Sequence, residues 1–308
     1  MESAAILLLA HGTPEKPEDI PAYLKNVTSG RPLPAEVVKE IQHRYELIGH
    51  SPLTELTFQQ ADAISLQLGI PAYVGMRNWK PYIRDTVIEM AEEGVTHAVA
   101  ICMAPQNSRT SVGLYKRAVV GETGRAPFTV DFIESWHDQP LLIEAFGQLL
   151  RDGLKKASAE ARSSLPVIFT AHSVPQRTIE AGDPYASQAR ETASLVAKQV
   201  PEVFNGTWRF AFQSQGMSGG VWIGPTVEET ILALKSEGHA GVFVQPIGFL
   251  CDHVEVLYDI DIAFKQFAAS HGMRLWRAES LNDSPMLARA VAALARERLA
   301  SKMAAGAR

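Results

Sequence analysis

A chain of 308 residues has the length of one large domain or of two with about 150 residues each. With 46% hydrophobic and 20% charged residues, its composition is that of an ordinary globular protein and excludes extensive disorder. Net charge is −5, and 29 Lys and Arg are spread among 34 Asp and Glu, which argues against nucleic acid as a partner.

The opening apolar run Ala4–Ala10 is short, lacks a basic flank and a small-residue cleavage site, and leads into His11-Gly12-Thr13-Pro14. It reads as a first strand rather than a signal peptide. Along the chain a strand is predicted at Ile6–Ala10, helices at Ala35–Ile48 and Thr57–Leu68, and a strand at Ala72–Gly75. A helix at Pro81–Glu93, a strand at Ala98–Met103 and a helix at Leu141–Ala157 follow. The second half repeats the alternation, with strands at Val167–Ala171, Trp208–Gln213 and Val242–Ile247 and helices at Tyr185–Gln199, Pro225–Glu237 and Pro285–Leu299. Short apolar runs separated by amphipathic stretches imply parallel sheets covered on both faces. No run approaches the roughly 20 apolar residues of a membrane span, so the expectation is a cytoplasmic protein with no transmembrane segment.

An internal echo organises these elements. Leu7-Leu8-Leu9-Ala10-His11-Gly12-Thr13-Pro14 is similar to Val167 through Pro175, and Pro81 and Pro225 each precede a glycine, Gly94 and Gly238, by 13 residues (94 − 81 = 238 − 225). The expected fold is therefore α/β, built from two similar doubly wound, Rossmann-like units with parallel sheets flanked by helices and a cleft between them. The division is expected at 1–156 and 157–308, where Ala157 through Ser164 has the small, polar composition of a linker. Ligands of open α/β sheets lie beyond the carboxyl ends of strands, and His11, His172 and Cys251-Asp252-His253 all follow predicted strands.

Several chemistries drop out. No two glycines are separated by a single residue, so the dinucleotide fingerprint is absent. Gly219 and Gly224 have P-loop spacing, but Pro225 follows instead of lysine, and no nucleotide is expected. Two distant cysteines, Cys102 and Cys251, cannot by themselves hold a structural zinc or an iron–sulfur cluster. No G-x-S-x-G is present, which leaves imidazole and carboxylate, the groups of metal handling and proton transfer. After a fully apolar strand, His172 is expected to be half-desolvated, with a depressed pKa that keeps it neutral, either as a metal ligand or proton acceptor or as a core histidine bonded to a carbonyl. Asp252 and Glu255 have the spacing of a capping box, whereas Glu255 and Asp259, four apart, would share a helix face and attract a cation.

Several blocks, in order, resemble the ferrochelatase family: Ala171-His172-Ser173-Val174-Pro175; Gln213-Ser214 with Trp222-Ile223-Gly224-Pro225; and Pro246-Ile247-Gly248-Phe249 followed by Asp252 through Asp259. The resemblance runs over nearly the whole chain, through Gly12-Thr13-Pro14, Arg44-Tyr45, Ser51-Pro52-Leu53 and Ala104-Pro105 with Tyr115. It implies an enzyme that inserts ferrous iron, as substrate, into coproporphyrin III or protoporphyrin IX to give haem, with His172 and Glu255 catalytic and on opposite faces of the macrocycle. It also implies metal contacts from His172, Glu255 and Asp259, and porphyrin contacts from Arg44, Ser51, Tyr115, Trp222 and His253. Transient partners of the haem pathway are implied as well.

The sequence departs from that pattern at His11, at Thr28-Ser29 in place of a basic pair, and at Ala263 in place of an acid. His11 also fits the strand–His–Gly turn of sirohydrochlorin and cobalt chelatases, which makes it a candidate metal ligand and that chemistry an alternative. A non-catalytic tetrapyrrole or iron carrier on the same fold is the other.

Overall fold

The computed structural model describes residues 3–124, 127–201, 208–215 and 220–306, with side chains up to residue 301; Gly219 lies outside them. The chain divides into two compact units, one of residues 1–104, 111–135 and 282–308, the other of 105–110 and 136–281.

In the first unit strands β1 (Ala4–Ala10), β2 (Ala72–Met76), β3 (His97–Cys102) and β4 (Thr129–Ile133) form a parallel sheet in the order β2-β1-β3-β4. Helices α1 (Ile20–Val27), α2 (Ala35–Ile48), α3 (Leu53–Leu68), α4 (Ile83–Glu92) and α5 (Val112–Thr123) connect and cover it. Alternate residues of a strand point to opposite faces. Accordingly Ala5, Leu7 and Leu9 pack with Ile83, Val87, Met90, Val112 and Val119 of α4 and α5. Ile6 and Leu8 are equally buried, which is why β1 reads as an unbroken apolar run.

The second unit opens with α6 (Pro140–Ala161) and repeats the plan. Strands β5 (Val167–His172), β6 (Trp208–Gln213), β7 (Gly241–Pro246) and β8 (Arg274–Arg277) run parallel in the order β6-β5-β7-β8, the same permutation as the first sheet. Its helices are α7 (Gln176–Glu180), α8 (Tyr185–Gln199), α9 (Val227–Ser236), α10 (Val254–Leu257) and α11 (Lys265–Ser270), with a π-helical stretch at Asp259–Phe264. Ile168, Val242 and Val244 pack with Ile231 and Leu234 of α9 and with Val256, Ile260 and Phe264. The echo around the two prolines is structural too. Both follow cis peptide bonds, and the Met76 N–H donates to the Pro81 carbonyl as the Phe212 N–H donates to the Pro225 carbonyl.

The units do not follow the division expected at residue 156. That position lies inside α6, which packs on α8, β7 and β8 and so belongs wholly to the second unit. The final helix, α12 (Pro285–Gly306), packs on α3 and β3 of the first unit. Small residues at 157–164 carry the end of a helix rather than a linker. Strands β4 and β8 were not among the predicted elements: both are edge strands with polar residues and partial exposure, so neither shows the apolar run of a central strand.

Candidate active site

Burial along β5 is complete until its last residue, His172, which pairs with Gln213 of β6 and is half-exposed at the carboxyl end of the sheet. The turn beyond it is pinned from several sides. The Ser173 N–H donates to the Gln213 carbonyl (2.7 Å), the Ser173 hydroxyl donates to the Ile223 carbonyl (2.8 Å), and Pro175 bridges to Trp222. This brings the Trp222 ring to 6.5 Å from the imidazole, tilted by 56°. The imidazole Nδ1 donates to the Ser173 carbonyl, which turns Nε2 toward the carboxylate of Glu255, 3.5 Å from Oε1.

Glu255 is held by its backbone. Its carbonyl accepts from Gln213 Nε2 (3.0 Å), and Gln213 Oε1 accepts in turn from Thr170 (2.7 Å), so strand residues fix the height of the carboxylate above the sheet. Gly248 lets the loop after β7 press onto the end of β5, since a Cβ there would lie 2.8 Å from Ala171 Cβ and 3.0 Å from Ala171 Cα. Asp259 is buried at the start of the π-helical stretch and accepts from the Ser214 hydroxyl; Ser214 adopts a left-handed φ of 58°. Short π-helical windings are frequent at functional sites.

One alternative falls and two expectations about these residues are corrected. Asp252 does not cap a helix with Glu255: His253 is the N-cap of α10, with no side-chain capping bond, and Asp252 accepts instead from Ser280 (2.7 Å) and Arg277 (3.2 Å). His172 is not held neutral. Burial opposes its charge, but the Glu255 carboxylate, the Ser173 carbonyl and Asp259 outweigh that and push it up to about 9. His253 is the neutral imidazole: burial lowers its pKa, and its Nδ1 meets the Cys251 carbonyl (3.1 Å). Finally, the opposite-face arrangement does not fit a separation of 3.5 Å. A flat ring between two groups needs roughly 7 Å, twice an ordinary contact of 3.5–4.0 Å.

The remaining candidates lie in the first unit. His11 has both ring nitrogens engaged, Nδ1 with the Tyr23 hydroxyl (3.0 Å) and Nε2 with the Asn78 amide (2.9 Å), so a metal at either nitrogen would have to displace one of them. Arg44 pairs with Glu40 (3.1 Å) on the exposed side of α2. Ser51 is buried just before α3, and its hydroxyl has no hydrogen-bond partner among the described residues. Tyr115 is buried beneath the Arg77 guanidinium, 5.4 Å from the ring centre, and burial raises its pKa. Sequence reasoning gave no role to Gln213, Ser214 or Arg277. Only Gln213 and Ser214 carried a signal, as part of a motif block.

The ferrochelatase family model matches residues 3–299 of this chain. The chain belongs to the ferrochelatase family. It is therefore a metal chelatase, an enzyme that acts on iron. A ferrochelatase from Acidobacterium capsulatum is 56% identical, with 97% of this chain and 95% of that protein covered. One from Deinococcus radiodurans is 38% identical, covering 97% and 96%. A coproporphyrin III ferrochelatase from Geobacillus sp. is 33% identical, covering 96% and 97%. Among solved structures, SirB from Bacillus subtilis with Fe3+ superposes with a TM-score of 0.60 over 96% of this chain and 95% of that one, at 12% identity, a likeness of fold alone. Among the described residues no helix is long and apolar enough to cross a membrane, and no cluster of three His, Cys, Asp or Glu side chains is arranged around a metal position.

Proposed function

We propose that this ferrochelatase inserts ferrous iron into a propionate-bearing porphyrin, coproporphyrin III or protoporphyrin IX, with His172 and Glu255 working together from one side of the macrocycle. The observation that carries this reading is the 3.5 Å contact between His172 Nε2 and Glu255 Oε1 at the carboxyl end of the sheet.

The reaction has a simple requirement: two pyrrole protons leave the ring as a divalent cation takes their place. A planar porphyrin hides its nitrogen lone pairs, so distortion by the protein favours the step. His172 holds a proton in the resting pair, because its pKa of about 9 lies above neutral pH. An incoming cation competes with that proton, since only neutral imidazole binds metal. Asp259 and Glu255 supply negative charge to lead the hydrated ion in. Once the ion has passed to the ring, His172 and Glu255 are free to take up the displaced pyrrole protons.

Trp222 lies close enough to His172 to pack on a ring bound there, and His253, kept neutral by burial, lines the same stretch. Arg44, Ser51 and Tyr115 are assigned to the propionates, as charge and hydrogen-bond donors. His11 acts through its hydrogen bonds to Tyr23 and Asn78 rather than as a metal ligand. Haem formation in the cytoplasm, with transient handover to other enzymes of haem synthesis, belongs to the same reading.

The test is anaerobic ferrous iron insertion measured separately with coproporphyrin III, protoporphyrin IX and sirohydrochlorin. Turnover with one of the first two supports the proposal and identifies the substrate. Turnover with sirohydrochlorin alone would replace it, and binding without turnover on all three would favour a carrier.

A further inference from the structure

Two half-buried carboxylates and one guanidinium bracket the segment that carries Glu255 and Asp259. Arg277, the last residue of β8, reaches Asp252 through Nη2 (3.2 Å) and Asp261 through Nε (3.0 Å to each oxygen) and Nη2 (2.8 Å). Ser280 donates to the same oxygen of Asp252 (2.7 Å), and Lys265 pairs with Asp261 (2.9 Å). The Arg277, Asp252 and Asp261 side chains are 13%, 21% and 23% exposed, so these are largely desolvated contacts rather than surface pairs. Asp252 stands three residues before Glu255, and Asp261 two after Asp259.

Between those acids Gln213 holds the Glu255 carbonyl and Ser214 meets Asp259, while the clamp holds the segment at its two ends. α10 is four residues long, its N-cap makes no side-chain bond, and it passes at once into the π-helical stretch. The guanidinium is a planar fork that can grip one carboxylate with two nitrogens while a third contact reaches a second acid, which a lysine cannot do.

We propose that Arg277 is a positioning residue for the iron-handling carboxylates: its fork ties both ends of residues 252–261 to the end of β8 and so fixes where Glu255 and Asp259 point. The inference rests on the reading above, that these two acids meet the metal. Arg277 itself touches neither of them. Charges within the clamp cancel, Arg277 and Lys265 against Asp252 and Asp261, so it orients the acids without adding to their field.

The test uses the full chain, with kcat and KM measured separately for ferrous iron and for porphyrin, alongside the melting temperature. Arg277→Gln should lower kcat/KM for iron by about tenfold or more, the usual loss on removing a group that orients a metal-handling side chain. The KM for porphyrin should stay within about twofold, because uniform substrate binding is untouched. Arg277→Lys should recover part of the loss, since it restores charge but not the fork. If Arg277→Gln does not fold, Ser280→Ala and Asp252→Asn each remove one arm of the clamp and should show the same iron-side loss. Unchanged iron kinetics in a folded clamp variant would overturn the proposal, as would equal losses for iron and porphyrin that track melting temperature. Glu255→Gln measured in parallel separates the two readings: if it turns over normally, the assignment of Glu255 fails first, and if it is inactive while the clamp variants are normal, only the positioning role fails.

Discussion

The Glu255 carboxylate lies 3.5 Å from His172 Nε2, and that contact reverses the direction in which burial alone would move the imidazole. A histidine at a strand end in an apolar setting is expected to lose its proton. Here the adjacent acid outweighs burial and raises the imidazole to about 9.

His172→Ala removes the group proposed as both metal ligand and proton acceptor. Iron insertion should fall by about 10²- to 10⁴-fold, the range for loss of an acid–base group. Circular dichroism should be unchanged, because the ring is half-exposed at the end of β5. Near-normal turnover in this variant would remove His172 from the mechanism.

Glu255→Gln takes away the leading cause that raises His172 and leaves the burial that lowers it. In the NMR titration of the imidazole, the midpoint should move from about 9 to well below that value. A midpoint that stays put would mean that other groups hold the proton. Turnover should drop strongly as well; a change in melting temperature alone would point to a structural acid.

Stability should depend on pH through the same pair. His172 titrates at about 9 when folded and near its ordinary 6.5 when unfolded. The folded state binds the proton more tightly, so the contribution is fully present below about pH 6.5 and is lost as pH rises through 9. Urea denaturation between pH 6 and 9.5 should show stability falling over that window, with a smaller slope in Glu255→Gln. Metal affinity should change in the opposite sense, tightening as pH rises and releasing a proton on binding, which calorimetry in buffers of different ionisation enthalpy would read.

Gly248→Ala is expected to damage the site from behind. The added Cβ would sit 2.8 Å from Ala171 Cβ, and 3.6 Å from the His172 amide nitrogen, with β5 unable to retreat inside its sheet. Overpacking of this kind costs about 1–3 kcal/mol. A lower melting temperature together with reduced turnover is the expected outcome, and an unperturbed variant would show that the loop after β7 is free to move.

Much of the fold was legible because its central strands are buried on both faces and therefore spelled in apolar runs. The Ala35–Ile48 and Tyr185–Gln199 helices and the Trp208–Gln213 strand fall where the sequence places them. β4 and β8 were hidden because they are short and Asp131 in the one and Arg274 and Arg277 in the other interrupt any apolar run, and the course of α12 was hidden because no local pattern says which unit a final helix will cover. At the site, His172 and Glu255 could be named from motif blocks, but their separation and the His172 proton depend on contacts made across strands. The Asp252–Glu255 spacing was misleading for a related reason: a capping box does form at Thr226 and Glu229, where a ten-residue helix follows, whereas Asp252 is drawn away by Arg277 and Ser280.

The most direct measurement is a crystal structure of the chain with a metal-free porphyrin bound. The account expects the His172 imidazole and the Glu255 carboxylate side by side over the pyrrole nitrogens on a single face of the ring. A macrocycle lying between them, one residue on each face, would contradict it.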